Sequence, residues 1–300
     1  MVQLELGGGA PAGGTAHREL VFATSNDNFT FSYAGTIARS TDPVFAGTSN
    51  GPCESAVAAL PLGASAAGSL RRAGLAPGAP EDGQPLQLLL AVFRVDSFAP
   101  YFHSVSLDGG WTWSAPQPCP TGVGSVRPRL RTIPGGGATV MLIGGRPGLR
   151  LWFGRVQSVT LDGGDAAAPA DLRATGPAPA AAAASAHGPS LRGATDLGGG
   201  VALQWRWSLG LNLAAAHNAL VPAAADRFPA ATVNATGRSL HAQGTTGYTS
   251  VVATPAPTVG PGLAPASRFV VVYDRLGNGW DGPQPGGRED AVFAMQVDVA

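Results

Sequence analysis

The chain has 300 residues, of which 13% are charged, and its formal net charge is zero. This length suits one large all-β domain or two smaller domains, and the balanced charge excludes electrostatic capture of nucleic acid or of an anionic membrane. All nineteen basic residues are arginine, which excludes a phosphate-loop lysine and a lysine Schiff base.

The N-terminal segment is predicted to be a disordered leader over residues 1–20, with a folded domain over residues 21–300. Its glycine-rich sequence shows neither the basic region nor the apolar region of a signal peptide. No apolar run in the chain approaches the roughly 18 residues of a membrane span. The sequence therefore predicts no membrane span.

Short apolar runs predict strands throughout the rest of the chain. Clusters of glycine, proline or aspartate separate these runs, which are 86–93, 138–143, 149–153, 201–207, 269–273 and 291–299. Helix-like composition is confined to 211–225 and is interrupted by Pro222. Two low-complexity stretches, 62–85 and 166–190, are predicted to be surface insertions that bury nothing. The pattern indicates an all-β sandwich, barrel or propeller.

A repeat distinguishes among these architectures. The segment Val-Ser-Leu-Asp-Gly-Gly at 105–110 recurs as Val-Thr-Leu-Asp-Gly-Gly at 159–164, a period of 54 residues, and a degenerate third copy lies at 25–31. Propeller blades repeat at roughly 40–50 residues. The spacing therefore favours a β-propeller over a sandwich.

The first copy is part of a complete Asp-box, Ser-x-Asp-x-Gly-x-Thr-Trp. Its fixed positions are Ser106, Asp108, Gly110, Thr112 and Trp113. Such a sequence suits a tight hairpin, because the Ser and Asp side chains can bind nearby amides and glycine accepts a positive φ. We therefore interpret the box as an element of the fold with no catalytic role.

Four further segments occur in an order that resembles the sialidase (neuraminidase) superfamily. The glutamate, the arginine before the box, the arginine after it and the tyrosine of that pattern correspond to Glu54, Arg94, Arg146 and Tyr248. The resemblance implies a six-bladed propeller of which about four to five blades are present here. It also implies an exo-acting, retaining sialidase whose substrate is a sialic-acid-like or other acidic glycan, without a cofactor or a metal.

The same resemblance implies a role for each residue. Tyr248 is the nucleophile, an unusual choice among glycosidases that suits an anionic sugar, and Glu54 accepts its proton. Arg94 and Arg146 bind the substrate carboxylate, which guanidinium groups do bidentately. Arg127 is a further predicted contact, while Arg129 and Arg131 on the same strand face are expected to be exposed.

Several alternatives stay open at this point. Arg150 competes with Arg146, and Tyr273 competes with Tyr248. Only 53 residues precede Glu54, and none of them matches the first carboxylate-binding arginine or the aspartate acid of the family. We therefore expect the sequence to be N-terminally incomplete and an inactive fragment is one outcome. The alternative function is a non-catalytic Asp-box propeller that binds glycans or proteins.

Two cysteines, Cys53 and Cys119, predict either one disulfide or two buried thiols. Together with the glycosylation sequons at Asn28 and Asn234, the disulfide alternative favours secretion or an endomembrane lumen. The five histidines show no metal-ligand spacing, so no metal site is predicted.

Overall fold

The structure is a computed structural model that describes twelve segments of the chain. They are residues 2–7, 18–25, 30–48, 51–75, 85–95, 100–124, 126–145, 148–161, 190–230, 248–254, 267–277 and 290–299.

The strands form four antiparallel sheets. Sheet I contains β1 (Val2–Gly7), β2 (Arg18–Thr24) and β3 (Ser32–Arg39). Sheet II contains β4 (Cys53–Leu62), β5 (Leu86–Arg94), β6 (Phe102–Ser106) and β7 (Gln117–Pro118). Sheet III contains β8 (Val126–Thr132), β9 (Thr139–Gly145), β10 (Leu149–Leu161), β11 (Ser190–Gly198), β12 (Val201–Ser208) and β13 (Leu211–Asn212). Sheet IV contains β14 (Thr249–Thr254), β15 (Ser267–Arg275) and β16 (Ala291–Val299).

Two α-helices, α1 (Ala64–Arg72) and α2 (Leu213–Leu220), and two 3-10 helices, Pro43–Phe45 and Ala224–Asp226, complete the described secondary structure. Neither α-helix is long and apolar enough to cross a membrane, and no other described helix is. Strands make up most of the described secondary structure, so the all-β class is confirmed. Each sheet is open, because its strand order has an edge strand at either end among the described residues. The closed propeller therefore stays a prediction.

The centre of the fold lies where edge strands of three sheets meet. β4, β8 and β14 are each the first strand of their sheet, and β8 packs against both of the others. Each begins at the same end of the assembly, because Glu54, Arg127 and Tyr248 lie at the starts of these strands and are joined by direct contacts. The starts of sheets II, III and IV therefore lie at one site.

The buried side chains form three clusters between the sheets. The largest joins sheets II and III through Leu88, Leu142, Trp152, Trp205 and Trp207, all of which are almost fully buried. Alternating burial along β12 explains why Val-Ala-Leu-Gln-Trp-Arg-Trp forms a strand, since its Val, Leu and Trp residues face this cluster and the Ala, Gln and Arg residues between them do not. Burial of each large side chain stabilises the fold by about 1.5–3 kcal/mol.

The N-terminal part differs from the predicted leader over residues 1–20. Val2–Gly7 forms β1, which pairs with β2 from Val2↔Ala23 to Gly7↔Arg18. The alternation of Val2, Leu4 and Leu6 with polar residues is the period-2 pattern of a strand, and the adjacent glycines obscured it.

The predicted insertion at 62–85 was wrong in its first half. Residues 64–72 form α1, whose Ala66, Ala67 and Leu70 are buried in the largest cluster. Small residues let this helix approach the sheets closely, so it buries apolar surface despite its low-complexity sequence. The second insertion, 166–190, lies outside the described residues except for Ser190.

The Asp-box forms the hairpin between β6 and β7 that its sequence predicts. Ser106 Oγ accepts a hydrogen bond from the Gly110 amide at 2.8 Å, and the Asp108 carboxylate accepts from the Thr112 amide at 3.0 Å. Trp113 donates from Nε1 to the Gly110 carbonyl at 2.9 Å and packs edge-on against Phe22 of sheet I. The box therefore joins sheet II to sheet I.

Hydrogen bonds also set the ionisation of Asp108. Partial burial acts to raise its pKa, but bonds from the Thr112 hydroxyl and amide, the Ser106 hydroxyl and the Trp111 backbone together lower the pKa below its ordinary value. The second copy of the repeat continues through Leu161 in β10, and residues 162–164 lie outside the described part of the chain. So do residues 26–29 of the third copy, including the sequon at Asn28.

The two cysteines are buried thiols that form no disulfide with each other, so the disulfide alternative is wrong. Cys53 Sγ lies 3.9 Å from the Val95 carbonyl, whereas Cys119 Sγ lies 3.6 Å from Nδ1 of His103. Each side chain therefore packs in its own surroundings. The correction removes one of the two observations that favoured a secretory compartment.

Candidate functional site

Glu54 lies in a β-bulge at the start of β4. Cys53 pairs with Arg94 and Ser55 pairs with Phe93, so Glu54 is the extra residue between two regular pairs. Its φ is 28°, a value that is rare for a residue with a Cβ and that costs of the order of 1–3 kcal/mol. The bulge turns the Glu54 side chain out of the normal alternation of the strand.

Arg127 repeats this arrangement in β8. The pairing of β8 with β9 shifts between Val126 and Arg129, and Arg127 has a φ of 47°. Among the residues that the structure describes, Glu54 and Arg127 are the two non-glycine residues with positive φ. Strained backbone of this kind concentrates at functional sites, because a side chain there must point where regular structure would not aim it.

The two bulges bring four side chains together. Oε2 of Glu54 accepts one bond from Nη1 of Arg94 at 2.9 Å and another from the Arg127 amide at 3.0 Å. The Arg127 guanidinium lies over the Tyr248 ring, with Cζ 3.9 Å from the ring centroid, as in a cation–π pair. Glu54, Arg94, Arg127 and Tyr248 therefore occupy one site at the starts of β4, β8 and β14.

Free hydrogen-bonding capacity distinguishes the two oxygens of Glu54. Both of its bonds use Oε2, and Oε1 accepts none from the residues described. The Arg94 and Glu54 side chains are 14% and 26% exposed, so their ion pair is sheltered but reachable from solvent. Glu54 is thus held in place by one oxygen while the other can accept a proton.

Tyr248 is positioned by its backbone and keeps its ring accessible. Its amide donates to Oδ1 of Asp274 at 2.9 Å, and its side chain is 41% exposed. Asp274 is a site residue that the sequence reasoning missed, although it directly follows the rival tyrosine in Val-Val-Tyr-Asp-Arg. Pairing of β14 with β15 brings it beside Tyr248.

The rival tyrosine, Tyr273, lies in the core. Its hydroxyl is 2.7 Å from Nδ1 of His217, its ring packs on Phe228 and Phe293, and burial raises its pKa to about 12. A buried phenol with a raised pKa is a poor nucleophile. Of the two candidates, only Tyr248 lies with Glu54 and an arginine.

The structure also distinguishes among the candidate carboxylate-binding arginines. Arg146 lies outside the described residues, and Arg150 lies in β10, paired with Asn212 and Gly144. Arg127 was a secondary prediction, yet it contacts both Glu54 and Tyr248. In a regular strand the Arg127 side chain would not point toward Tyr248. The bulge directs it there, and the sequence pattern gives no indication of the bulge.

Arg129 and Arg131 continue the same face of β8 toward β14. Nε of Arg129 donates to the Thr249 carbonyl and Nε of Arg131 to the Val251 carbonyl, both at 3.0 Å. Arg131 is exposed as expected, whereas Arg129 is half-buried. Four arginines thus lie on or beside β8 against two carboxylates, Glu54 and Asp274, and this excess of positive charge attracts anions.

In the part of the chain that is described, no three His, Cys, Asp or Glu side chains come together in a way that could hold a metal ion. No family model matches the sequence, and comparisons with curated proteins and with solved structures found no match.

Proposed function

We propose that the chain is a sialidase-like glycoside hydrolase, retaining and exo-acting, on a β-propeller of the sialidase type. The observation that carries the proposal is the convergence of Glu54, Arg127 and Tyr248 at the starts of three packed edge strands, two of them through strained bulges. Four open sheets, three of which bring their first strands β4, β8 and β14 together, support the propeller.

The proposed chemistry uses an acidic sugar with a carboxylate on its anomeric carbon. The Tyr248 oxygen attacks this carbon as the glycosidic bond breaks, and Oε1 of Glu54 takes the phenol proton. A neutral phenol suits this role because a carboxylate nucleophile would repel the anionic sugar. Water then cleaves the glycosyl–tyrosine bond and the phenol regains its proton, which gives retention of configuration.

Arg127 and Arg94 have distinct tasks in this proposal. Arg127 lies on the Tyr248 ring and presents a guanidinium beside the nucleophile, where it can bind the sugar carboxylate. Arg94 is paired with Glu54 and keeps it oriented. The proton for the leaving group comes from a carboxyl outside this cluster or from water, and loss of a positioned acid reduces the rate by about 10²–10⁴.

Turnover of a fluorogenic sialoside tests the proposal. Tyr248→Phe should lower kcat at least about 100-fold because it removes the nucleophilic oxygen, and Glu54→Gln should lower it because Gln cannot take the proton. Tyr33→Phe is the matched control, since Tyr33 is 61% exposed and its hydroxyl contacts Thr36 on β3. Full activity of Tyr248→Phe, or no turnover by the wild-type chain, contradicts the proposal.

A second candidate is the non-catalytic glycan-binding Asp-box protein. A groove of about 440 Å³ between β3 and the end of the Asp-box favours it, because Arg39, Asp42 and Trp113 line a surface with both polar and aromatic groups. Retained binding of an immobilised sialoside by a wild-type chain without turnover would support this candidate. Loss of that binding in Trp113→Ala would place the ligand in the groove.

A further inference from the structure

A cavity of about 290 Å³ lies where all four sheets meet, beside the cluster of Glu54 and Tyr248. Its walls come from β2 and β3 of sheet I, β4 of sheet II, β8 of sheet III and β14 of sheet IV. Its lining side chains include Ile37, Ser55, Arg129, Arg131 and Val251.

The charged side chains that line this cavity are positive. Arg129 and Arg131 are its charged lining residues, and no described residue that lines it is acidic. The carboxylates of the neighbouring site bond elsewhere, since Glu54 accepts from Arg94 and the Arg127 amide and Asp274 accepts from the Tyr248 amide. Burial is the main cause of the lowered pKa of Arg129; the charges of Arg127 and Arg131 lower this pKa further, and the charge of Glu54 opposes them.

Hydrogen-bond donors remain in the cavity after all contacts with described residues are made. The bonds from Nε of Arg129 and Arg131 to β14 carbonyls fix the planes of both guanidinium groups. Nη1 of Arg129 also donates to the Pro128 carbonyl at 3.4 Å, whereas Arg131 is exposed and keeps its terminal N–H groups available to an anion. The Ser55 hydroxyl is buried and makes no hydrogen bond with the described residues, so it lacks the partner that buried polar groups normally have.

Size and wall chemistry define the class of acceptor. A water occupies about 30 Å³ of liquid, so the cavity holds an anion of a few atoms with some water. Apolar side chains such as Ile37 and Val251 form the remaining wall, which disfavours a multiply charged anion that must keep many strong hydrogen bonds.

We infer that this cavity is a binding site for one small monovalent anion of halide type, held by Arg129, Arg131 and the Ser55 hydroxyl. The bound anion offsets the repulsion among the arginines of β8 and stabilises the junction of the four sheets. The site is separate from the proposed glycosidase site, and the inference does not depend on that activity.

Bromide is the probe, because its anomalous scattering identifies it. In crystals grown with sodium bromide, we expect an anomalous peak within hydrogen-bond reach of the Arg131 guanidinium. In solution, bromide should raise the midpoint of thermal unfolding by mass action when it replaces gluconate at constant ionic strength, because the many hydroxyl groups of gluconate are poorly matched to the apolar wall.

Substitutions test which side chains bind the bromide. Arg131→Gln should weaken bromide binding at least tenfold, and Ser55→Ala, which removes one donor, should weaken it severalfold. Arg192→Gln is the matched control on the exposed face of β11 and should bind like the wild type. Tyr248→Phe should also keep bromide binding, which separates this site from the proposed activity.

The inference is overturned if bromide gives no peak in the cavity, or if Arg131→Gln and Arg192→Gln respond to bromide alike. Should Arg131→Gln fail to fold, Ser55→Ala decides, since unchanged bromide binding in that variant also overturns the inference.

Discussion

Glycine should be more stabilising than alanine at position 54, which reverses the usual order in a strand. Glu54→Ala and Glu54→Gly both remove the carboxylate that Arg94 approaches to 2.9 Å, so the loss of that sheltered ion pair, about 1–3 kcal/mol, is common to both. The two variants differ only in their backbone terms. The comparison therefore isolates the strain of the bulge.

The expected difference follows from the φ of 28° at position 54. Alanine there retains a strain of about 1–3 kcal/mol, because its Cβ is crowded in this region. Glycine avoids the crowding but gives up about 0.5–1 kcal/mol to the greater freedom of the unfolded chain. Glu54→Gly should thus be more stable than Glu54→Ala, by up to about 2.5 kcal/mol.

Urea unfolding at equilibrium measures this difference, with the slope m checked to be the same for both variants. Ala59→Gly is the control, because Ala59 is exposed on the same strand and pairs regularly with Leu89. That control should lose about 0.5–1 kcal/mol. A Glu54→Gly variant less stable than Glu54→Ala would refute the strained bulge and the reasoning that places function there.

Three further predictions concern titration and packing, each measured by urea or thermal unfolding. Burial lowers the pKa of His103 to about 4, so the unfolded chain takes up the proton first and the free energy of unfolding should fall as the pH drops from 6.5 toward 4. His103→Gln should flatten that decline, by up to about 3 kcal/mol. Asp108→Asn should cost about 1–3 kcal/mol at pH 7. Because the pKa of Asp108 is lowered, its contribution is present above the ordinary value near 3.9 and lost as the pH falls through the folded value, so this variant should reduce acid sensitivity. Gly110→Ala should cost more than about 3 kcal/mol, because its Cβ would lie 2.3 Å from the Phe22 ring at a φ of 99°, whereas Gly109→Ala, with φ 77° and open space, should cost about 1–2 kcal/mol. Equal losses in the two glycine variants would contradict the close contact of the Asp-box with sheet I.

The strands were predictable where their apolar runs were long and bounded by turn residues. The run at 86–93 became β5, and the run at 291–299 became β16 with the same limits. Helix α1 was missed because its sequence is mostly alanine, glycine and serine, which gives a weak periodic signal although Ala66, Ala67 and Leu70 share a buried face.

The site was predictable from motif order only in part. Glu54, Arg94 and Tyr248 were identified from their segments, and the structure brings them to one place. The central position of Arg127 was underestimated, because strict alternation along β8 gives it no reason to turn toward Tyr248. Positive φ at a non-glycine residue has no signature in the sequence, and the approach of β4, β8 and β14 depends on contacts far apart in the chain.

The side-chain bonds along the central strands have a consequence for solubility. An edge strand with bare carbonyls invites pairing with another chain, which is a common route to aggregation. Here Arg129 and Arg131 cover two carbonyls of β14, and the Thr132 hydroxyl covers the Ala59 carbonyl of β4 at 2.7 Å. Arginine and threonine side chains thus occupy carbonyls that could otherwise pair with a foreign strand, and they link the edges of neighbouring sheets without backbone pairing.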